Sequence, residues 1–370
     1  MTGPRYTKLA AALPATVPFV GPEELQRKRG APFRARLGAN ESVFGPSPFA
    51  VAAMQDEAGE IWKYADASHE ELKAALAQQL GMTPANILIG EGIDGLLGYA
   101  VRLLVEPGDA VVTSEGAYPT FNYHVAGFGG TLHKVPYADD REDLRALLAK
   151  AHETDAKIVY LANPDNPMGT FVKGSDIAQA LDDLPEGCTL MLDEAYVEFA
   201  PAEAVPQIAA DDDRVIRFRT FSKGYGMAGA RVGYAMSHPD VIKSFDKIRN
   251  HFGMNRAAVA GALAAQQDQE WLHEVIALVK HSKAEITRIA ADNGLTCVPS
   301  ATNFVAVDCG ADGDFARKVL AELAEDGVFV RMPFVAPQDR CIRISAGAAD
   351  DMAVLAEALP KALARARAKA

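Results

Sequence analysis

The sequence predicts an α/β fold in which a mostly parallel seven-stranded sheet has helices on both faces and is joined to a smaller α+β domain. Between about residues 86 and 238, short strand-like runs alternate with helix-like runs. Several strand-like runs are apolar throughout, as expected when helices cover both faces of a sheet. The length of 370 residues exceeds that of one ordinary core, so two domains are expected.

Seven strands are predicted within this region. They cover residues 86–90, 109–115, 130–137, 157–164, 189–196, 214–222 and 231–237. The helix-like runs between most of them are "IDGLLGYAVRLLV", "YPTFNYHVAGF", "REDLRALLAKAHE" and "GSDIAQALDDL". This alternation is typical of an open sheet whose parallel strands are linked by helices.

The pattern changes in the last third of the chain. A long helical stretch is predicted from about Asn255 to Asn293, and a mixture of strands and helices follows it. We therefore assign residues 1–44 to an N-terminal arm that is part of the small domain. Residues 45–255 form the predicted large domain, and residues 256–370 form a small C-terminal domain that begins with a long linking helix.

Composition and charge argue against several classes of protein. The net charge is −12, from 49 acidic and 37 basic residues, which argues against nucleic acid or an anionic membrane surface as a partner. No run is long and apolar enough to span a bilayer. "LAAALPATVPFV" is interrupted by Pro14 and Pro18, so we interpret it as an ordered arm rather than a signal peptide. The scattered cysteines indicate reduced thiols rather than disulfides or a metal site, and a cytoplasmic location is expected.

Polar residues cluster where predicted strands end, which is where ligands bind in open α/β sheets. In "GEGIDGLL", residues 90–97, small residues and the free N–H groups of a new helix suit an anion, while an Asp94 helix cap is the open alternative. In "ANPDNPMGT", residues 162–170, a tight turn sets the directions of Asn163 and Asn166. Those side chains serve either a ligand or local hydrogen bonds.

Three charged residues give stronger signals. Asp193 ends an apolar strand, three residues before Tyr196, and a carboxylate there needs a cationic or hydrogen-bonding partner. Lys223 lies in "TFSKGYG" at a strand end. A lysine desolvated near other cations has a lowered pKa and can form a Schiff base with an aldehyde. Arg343, inside "CIRISAG", needs an anionic partner, which is either a ligand or an internal ion pair.

The ordered set "NPDNPMGT", "DEAYVEF", "RTFSKGYGMAGARVGYA" and "RIS" resembles the fold type I aminotransferases that use pyridoxal phosphate. The chain is most similar to the subgroup of histidinol-phosphate aminotransferases and their aromatic aminotransferase relatives. The resemblance extends over nearly the whole chain, from "LGANESVFGPSP" to "CIRISAG". It implies the fold type I architecture of pyridoxal-phosphate-dependent transferases, with the cofactor bound by the large domain.

The resemblance implies a role for each matching residue at the cofactor. Lys223 would hold pyridoxal phosphate covalently and would then carry the proton that moves between the substrate Cα and the cofactor C4′. Asp193 would pair with the protonated pyridine nitrogen, which keeps the ring an electron sink. Asn166 and Tyr196 would bond the phenolic oxygen, and Tyr118 would stack on the ring.

Further matches surround the cofactor phosphate and the substrate. Those implied at the phosphate are Ser222, Arg231 and the N–H groups of Ile93, Asp94 and Gly95. Tyr64 matches a tyrosine that reaches the phosphate of the neighbouring subunit, which implies a homodimer with a shared active site. Arg343 would grip the substrate carboxylate, and Arg331, Asn40 and Asn166 would be further substrate-binding residues. Arg219 matches no family role, and we interpret it as part of a structural ion pair.

The leading interpretation is an aminotransferase that moves an amino group from histidinol phosphate or a related amino acid to 2-oxoglutarate. Departures from the family pattern leave the donor open, because Met168 in the turn and Phe44 in "SVF" would suit an apolar or aromatic side chain. Asp165, and Gly95 after Asp94, also depart from it. An aromatic amino acid aminotransferase is therefore one alternative. A decarboxylase similar to threonine-phosphate decarboxylase is another. Decarboxylation requires the Cα–carboxylate bond to lie perpendicular to the cofactor ring, transamination requires the Cα–H bond there, and the sequence does not show which is placed so.

Overall fold

The computed structural model describes residues 3–15 and 20–369. Pro18, which supported the interpretation of the N-terminal arm, lies outside the described residues. Within these residues, none of the helices combines the length and the apolar character that a membrane span requires.

Helices and strands alternate along the chain in the order that the sequence predicts. The strands are β1 (Ala35–Arg36), β2 (Ile87–Gly90), β3 (Ala110–Ser114), β4 (Thr131–Val135), β5 (Ile158–Ala162), β6 (Thr189–Asp193), β7 (Val215–Thr220), β8 (Gly233–Met236), β9 (Thr296–Cys297), β10 (Phe304–Asp308), β11 (Val328–Phe329) and β12 (Cys341–Ser345). The α-helices are α1 (Lys8–Ala12), α2 (Pro22–Arg29), α3 (Pro48–Glu57), α4 (Glu70–Leu80), α5 (Gly92–Leu104), α6 (Pro119–Phe128), α7 (Leu144–Thr154), α8 (Gly174–Ala180), α9 (Pro239–Ser244), α10 (Arg256–Gln267), α11 (Gln269–Asp292), α12 (Gly313–Glu325) and α13 (Ala349–Ala368).

The central sheet has seven strands among the described residues, in the order β2-β8-β7-β6-β5-β3-β4. β8 runs antiparallel to both of its neighbours, and the other pairs are parallel. The prediction of a mostly parallel seven-stranded sheet is confirmed. Because β5, β6 and β7 are parallel neighbours, their carboxyl ends meet at one edge of the sheet.

Alternate side chains of the central strands enter two separate cores. In β5, Ile158 and Tyr160 pack with α5 and α6, whereas Val159 and Leu161 pack with α7 and α8. Successive side chains of a strand point to opposite faces, so a strand covered on both sides needs apolar residues throughout. The predicted cover of helices on both faces is confirmed.

The helical stretch predicted from Asn255 to Asn293 is interrupted at Asp268, so it differs from the single linking helix that was expected. The Asp268 carboxylate accepts a hydrogen bond of 3.2 Å from the N–H of Trp271 and caps α11. The preceding helix, α10, packs against α3 and adds Ala258 to the core that contains β2 and β8. The apolar pattern continues through Asp268, but this aspartate ends α10 and caps α11, so two helices form where one was expected.

Two smaller sheets lie outside the central one. The first is antiparallel, in the order β12-β10-β9, and the second joins β1 to β11 in parallel, with Ala35 opposite Val328. The second pairing links the N-terminal segment to the C-terminal part of the chain. The domain bounds given above stay predictions.

Candidate active site

A cavity of about 350 Å³ lies at the carboxyl ends of β5, β6 and β7, beside β12. It contains most of the residues that the sequence marked out. Those that line it are Asn40, Ile93, Asp94, Tyr118, Asn166, Asp193, Tyr196, Ser222, Lys223, Arg231, Arg331 and Arg343. Among the described residues, Gly95 and Tyr64 are the predicted members that do not line it.

Lys223 follows β7 and extends its amine into this cavity. Its Nζ donates a hydrogen bond of 3.1 Å to the carbonyl oxygen of Asn40 and lies 5.5 Å from the centroid of the Tyr196 ring. Burial, reinforced by the positive charge of Arg343, lowers the pKa of Lys223 from 10.5 to about 8. A lowered pKa increases the share of neutral amine near neutral pH, which is the nucleophilic form.

Asp193, at the end of β6, is a buried carboxylate in the floor of the cavity. Its Oδ2 accepts a hydrogen bond of 2.6 Å from the Tyr160 hydroxyl, and its Oδ1 accepts one of 3.0 Å from the N–H of Ala195. Burial raises the pKa of Asp193 from 3.8 to about 6 despite these bonds. A cationic ligand group placed beside it would lower that pKa again and would be stabilised in return.

The start of α5 and the loop after β7 form an anion cradle, which we define as Gly92, Ile93, Asp94, Ser222 and Arg231. Arg231 Nη1 donates to Ser222 Oγ at 3.2 Å. Gly92 adopts a φ of +77°, and a Cβ there would lie 2.5 Å from Arg231 Nη2. Glycine at this position therefore lets the guanidinium lie close to the first turn of the helix, where N–H groups lack partners within the helix.

The Asp94 cap interpretation is wrong. The N-cap of α5 is Glu91, which makes no side-chain capping bond. The Asp94 carboxylate instead accepts a hydrogen bond of 2.7 Å from the Tyr118 hydroxyl and lies 3.6 Å from Arg231 Nη2. Asp94 therefore joins the predicted stacking tyrosine to the anion cradle.

The two asparagines of the "NPDNP" turn have different uses. Asn163 serves the fold itself, since its Nδ2 donates to the carbonyl oxygens of Val172 and, 41 residues away, Ala204 at 3.1 and 2.8 Å. Asn166 lines the cavity and accepts a hydrogen bond from Arg343 Nη1 through its Oδ1. Only Asn166 is thus placed to contact a ligand.

Arg343 and Arg331 place two guanidinium groups on one wall of the cavity. Their backbones pair across an isolated antiparallel bridge. Arg343 Nη2 donates to the carbonyl oxygen of Gly38 at 3.1 Å, and its Nε is buried with no hydrogen-bond partner among the described residues. Its described hydrogen-bond acceptors are thus an amide and a carbonyl oxygen, and the described residues form no salt bridge with Arg343, so the internal ion pair considered for it is not found among them.

Tyr64 lies apart from the cavity of its own chain. Its side chain is 77% exposed, and its ring centroid lies 5.0 Å from that of Phe252. Ile61 and Trp62 are also strongly exposed. The paired rings of Tyr64 and Phe252 form an aromatic patch on the surface, of the kind that marks contact sites for other proteins.

Sequence reasoning missed several residues that support the site. Tyr160 was counted as part of an apolar strand, although a buried tyrosine needs a partner for its hydroxyl, and Asp193 is that partner. Ser345 was overlooked beside Arg343, although two residues apart on a strand face the same side. Glu41 also lines the cavity.

The interpretation of Arg219 as part of a structural ion pair is confirmed. Its Nε lies 2.9 Å from the carboxylate of Glu194, which also lies 2.7 Å from Arg217. Glu194 is buried beside the end of β6, and both arginines belong to β7. The cluster therefore joins the two strands that carry Asp193 and lead to Lys223.

Comparisons with known proteins agree with this geometry. The family model for aminotransferase class I and II matches residues 35–360. Histidinol-phosphate aminotransferase 1 of Nitrosococcus oceani is 35% identical over 344 residues, which is 92% of each chain. The crystal structure of histidinol-phosphate aminotransferase from Sinorhizobium meliloti, in complex with pyridoxal-5′-phosphate, is 55% identical. It matches with a TM-score of 0.95 over 99% of this chain and 98% of that one.

Proposed function

Because this chain belongs to the class I and II aminotransferases, we propose that it transfers the amino group of histidinol phosphate to 2-oxoglutarate with pyridoxal phosphate as its cofactor. The observation that carries the proposal is that one cavity holds Lys223, the buried carboxylate of Asp193 and two separate cationic groups, at Arg231 and at the Arg331 and Arg343 wall. The anion cradle suits the cofactor phosphate. The Arg331 and Arg343 wall suits the substrate phosphate in one half-reaction and the carboxylates of the oxo acid in the other.

The residues present fit pyridoxal phosphate. A Cβ at Gly92 would collide with the Arg231 guanidinium, so glycine there lets this cation lie beside the start of α5, where both could bind one phosphate. Asp193 is a buried carboxylate suited to a protonated pyridine nitrogen, and Tyr118 lines the same cavity, where it would stack on the ring. Lys223 would hold the aldehyde carbon, and Asn166 and Tyr196 would bond the phenolic oxygen.

When bound, pyridoxal phosphate supplies a sink for the electrons left behind when the Cα proton of an amino donor departs. Lys223 Nζ, held by the Asn40 carbonyl, accepts that proton and later returns it. Asp193 would stabilise the positive charge of the protonated pyridine nitrogen of the cofactor. Arg343 would orient an amino donor that has a carboxylate, such as glutamate, so that its Cα–H bond faces the lysine.

The aromatic alternative loses the support that Met168 and Phe44 gave it. Met168 is fully buried and packs with Ala306 and Cys341, away from the cavity. Phe44 packs beside Val275 and also lies outside the cavity lining. The turn and the N-terminal segment therefore fill core space at these positions instead of selecting an apolar donor.

We expect the cofactor-loaded protein to react with histidinol phosphate about 10- to 100-fold faster than with phenylalanine at equal low concentration. The reason is that the phosphate can form charge-assisted bonds with both arginines, whereas phenylalanine offers only its α-carboxylate, to Arg343. Stopped-flow absorbance of the single half-reaction measures both rates. A faster rate with phenylalanine would favour the aromatic alternative, and release of CO₂ from threonine phosphate would favour the decarboxylase.

We also propose a homodimer in which Tyr64 reaches the cofactor phosphate of the partner subunit, because its exposed aromatic patch has no use within one chain. Tyr64→Phe is expected to weaken cofactor binding about 10-fold, since a hydrogen bond to a charged group is lost. Tyr123, another exposed tyrosine, supplies the control Tyr123→Phe. A monomer in analytical ultracentrifugation, or equal effects of the two substitutions, would contradict the proposal.

A cytoplasmic location stays a prediction.

A further inference from the structure

Asn40 is a buried junction between the two groups that act on the cofactor. Its side chain is only 2% exposed, and its backbone adopts a φ of +54°, in the left-handed region. Its carbonyl oxygen accepts the Lys223 amine, and its Nδ2 donates a hydrogen bond of 2.9 Å to the Tyr196 hydroxyl. One residue therefore contacts both the proton carrier and the phenol proposed to bond the cofactor.

Ser345 holds Asn40 at two points. The N–H of Asn40 donates to Ser345 Oγ at 3.0 Å, and the Ser345 hydroxyl donates to Asn40 Oδ1 at 2.9 Å. The amide oxygen can only accept, so the single hydrogen of the Ser345 hydroxyl is directed to it, while Oγ accepts the backbone N–H through a lone pair. The amide is thereby oriented with its oxygen toward Ser345 and its NH₂ group toward Tyr196.

That orientation decides what Tyr196 can do with its hydrogen. A phenol oxygen that accepts from an NH₂ group still has its own hydrogen to donate. If the amide were reversed, its oxygen would face Tyr196 and take that hydrogen. We propose that Ser345 is a positioning residue, which fixes the Asn40 amide so that Tyr196 keeps its hydrogen for the phenolic oxygen of the cofactor. This inference rests on the proposed function.

Ser345 also connects the Asn40 junction to the strand that carries Arg343. It lies two residues from Arg343 on β12, and its N–H donates to the carbonyl oxygen of Leu37 at 2.7 Å. Asn303, on the segment before β10, also donates to the Asn40 carbonyl oxygen, at 3.1 Å. The strand that carries the substrate arginine thus holds the same junction that orients Tyr196.

The test is a pH titration of the visible absorbance of the cofactor-loaded protein. In Ser345→Ala, the Asn40 oxygen loses its donor and turns toward Tyr196, which then no longer donates to the cofactor. A hydrogen bond to the deprotonated form lowers a pKa, so its loss moves the midpoint of the absorbance change upward, by about one-half to one pH unit. The same substitution in a Tyr196→Phe background is expected to cause no further shift.

Ser237→Ala is the matched control, because Ser237 is also a buried serine whose hydroxyl donates a bond, to the carbonyl oxygen of Val215 at 2.7 Å. It lies outside the cavity lining and is expected to leave the midpoint unchanged. An equal shift in Ser237→Ala, no shift in Ser345→Ala, or a shift that persists in Tyr196→Phe would overturn the inference. Should Ser345→Ala not fold, Ser345→Cys replaces it, since a thiol fills the place of the hydroxyl but is only a weak donor to the Asn40 amide oxygen. Its midpoint shift is likewise expected to vanish in the Tyr196→Phe background, and an undiminished shift there would overturn the inference.

The wild-type protein separates this inference from the proposed function. If it acquires no visible band with pyridoxal phosphate, or transfers no amino group, the proposed function fails before any variant is compared. If it does both, the midpoints of the wild type and its variants test the role of Ser345 alone.

Discussion

Lys223→Ala is expected to abolish the visible absorbance band that pyridoxal phosphate acquires on a lysine amine and to lower turnover by about 10⁴-fold. General acid–base catalysis alone contributes roughly 10²–10⁴-fold, and this substitution also removes the covalent attachment of the cofactor. Absorbance spectra of the purified protein and steady-state rates measure the two effects. A retained band in Lys223→Ala would contradict the assignment of this lysine.

Lys283 offers a matched control for that experiment. Burial lowers the pKa of Lys283 to about 8, and its Nζ donates to the carbonyl oxygen of Ser300 at 2.8 Å, so it resembles Lys223 in pKa but not in position. Lys283→Ala is expected to keep the band.

The wild-type apoprotein should also capture the cofactor faster as the pH rises toward about 8, because the neutral amine of Lys223 is the reactive form.

Arg343→Ala is the second substitution with a large expected effect, and the effect should depend on the substrate. Loss of a buried charge that pairs with a ligand carboxylate costs about 2–5 kcal/mol, so kcat/KM for glutamate and 2-oxoglutarate should fall by roughly 30- to 5000-fold. Histidinol, which has neither a carboxylate nor a phosphate, should lose far less. Equal losses for glutamate and histidinol would contradict the carboxylate role.

Arg331→Ala supplies the comparison for this prediction. Arg331 lines the same wall, and its Nη2 donates to the carbonyl oxygen of Val20 at 2.6 Å. If the two guanidinium groups share the substrate phosphate, the half-reaction with histidinol phosphate should be slowed in both variants. The half-reaction with glutamate should be slowed mainly in Arg343→Ala.

The sequence was sufficient for the sheet and for most of the cavity lining, because both depend on local patterns. Apolar runs mark strands covered on two faces, and polar residues that follow such strands converge at one edge of the sheet. Asp193 and Lys223 were found in this way without knowledge of their partners. Tyr118, Asn40 and Arg331 needed the family resemblance, since a single aromatic or polar side chain carries little signal by itself.

The sequence could not predict hydrogen bonds between residues far apart in the chain, or which of two identical residues faces the cavity. Asn40 and Ser345 lie 305 positions apart, so no local pattern connects them. Asn163 and Asn166 are chemically identical, and only the folded turn shows which one faces the cavity. At Asp268 the apolar helical pattern continues, and the break became visible only through the cap that the aspartate forms.

The pairing of β1 with β11 affects the order in which a growing chain can fold. The seven strands of the central sheet are complete once residue 236 has been synthesised, so Asp193 and Lys223 can take their places early. β1 must wait for residues 328–329, and Asn40 must wait for Ser345. A ribosome-bound chain of about 300 residues would therefore hold the catalytic lysine in a folded sheet but lack the junction that positions its neighbours. Such a chain has the chemical groups of the enzyme without its geometry.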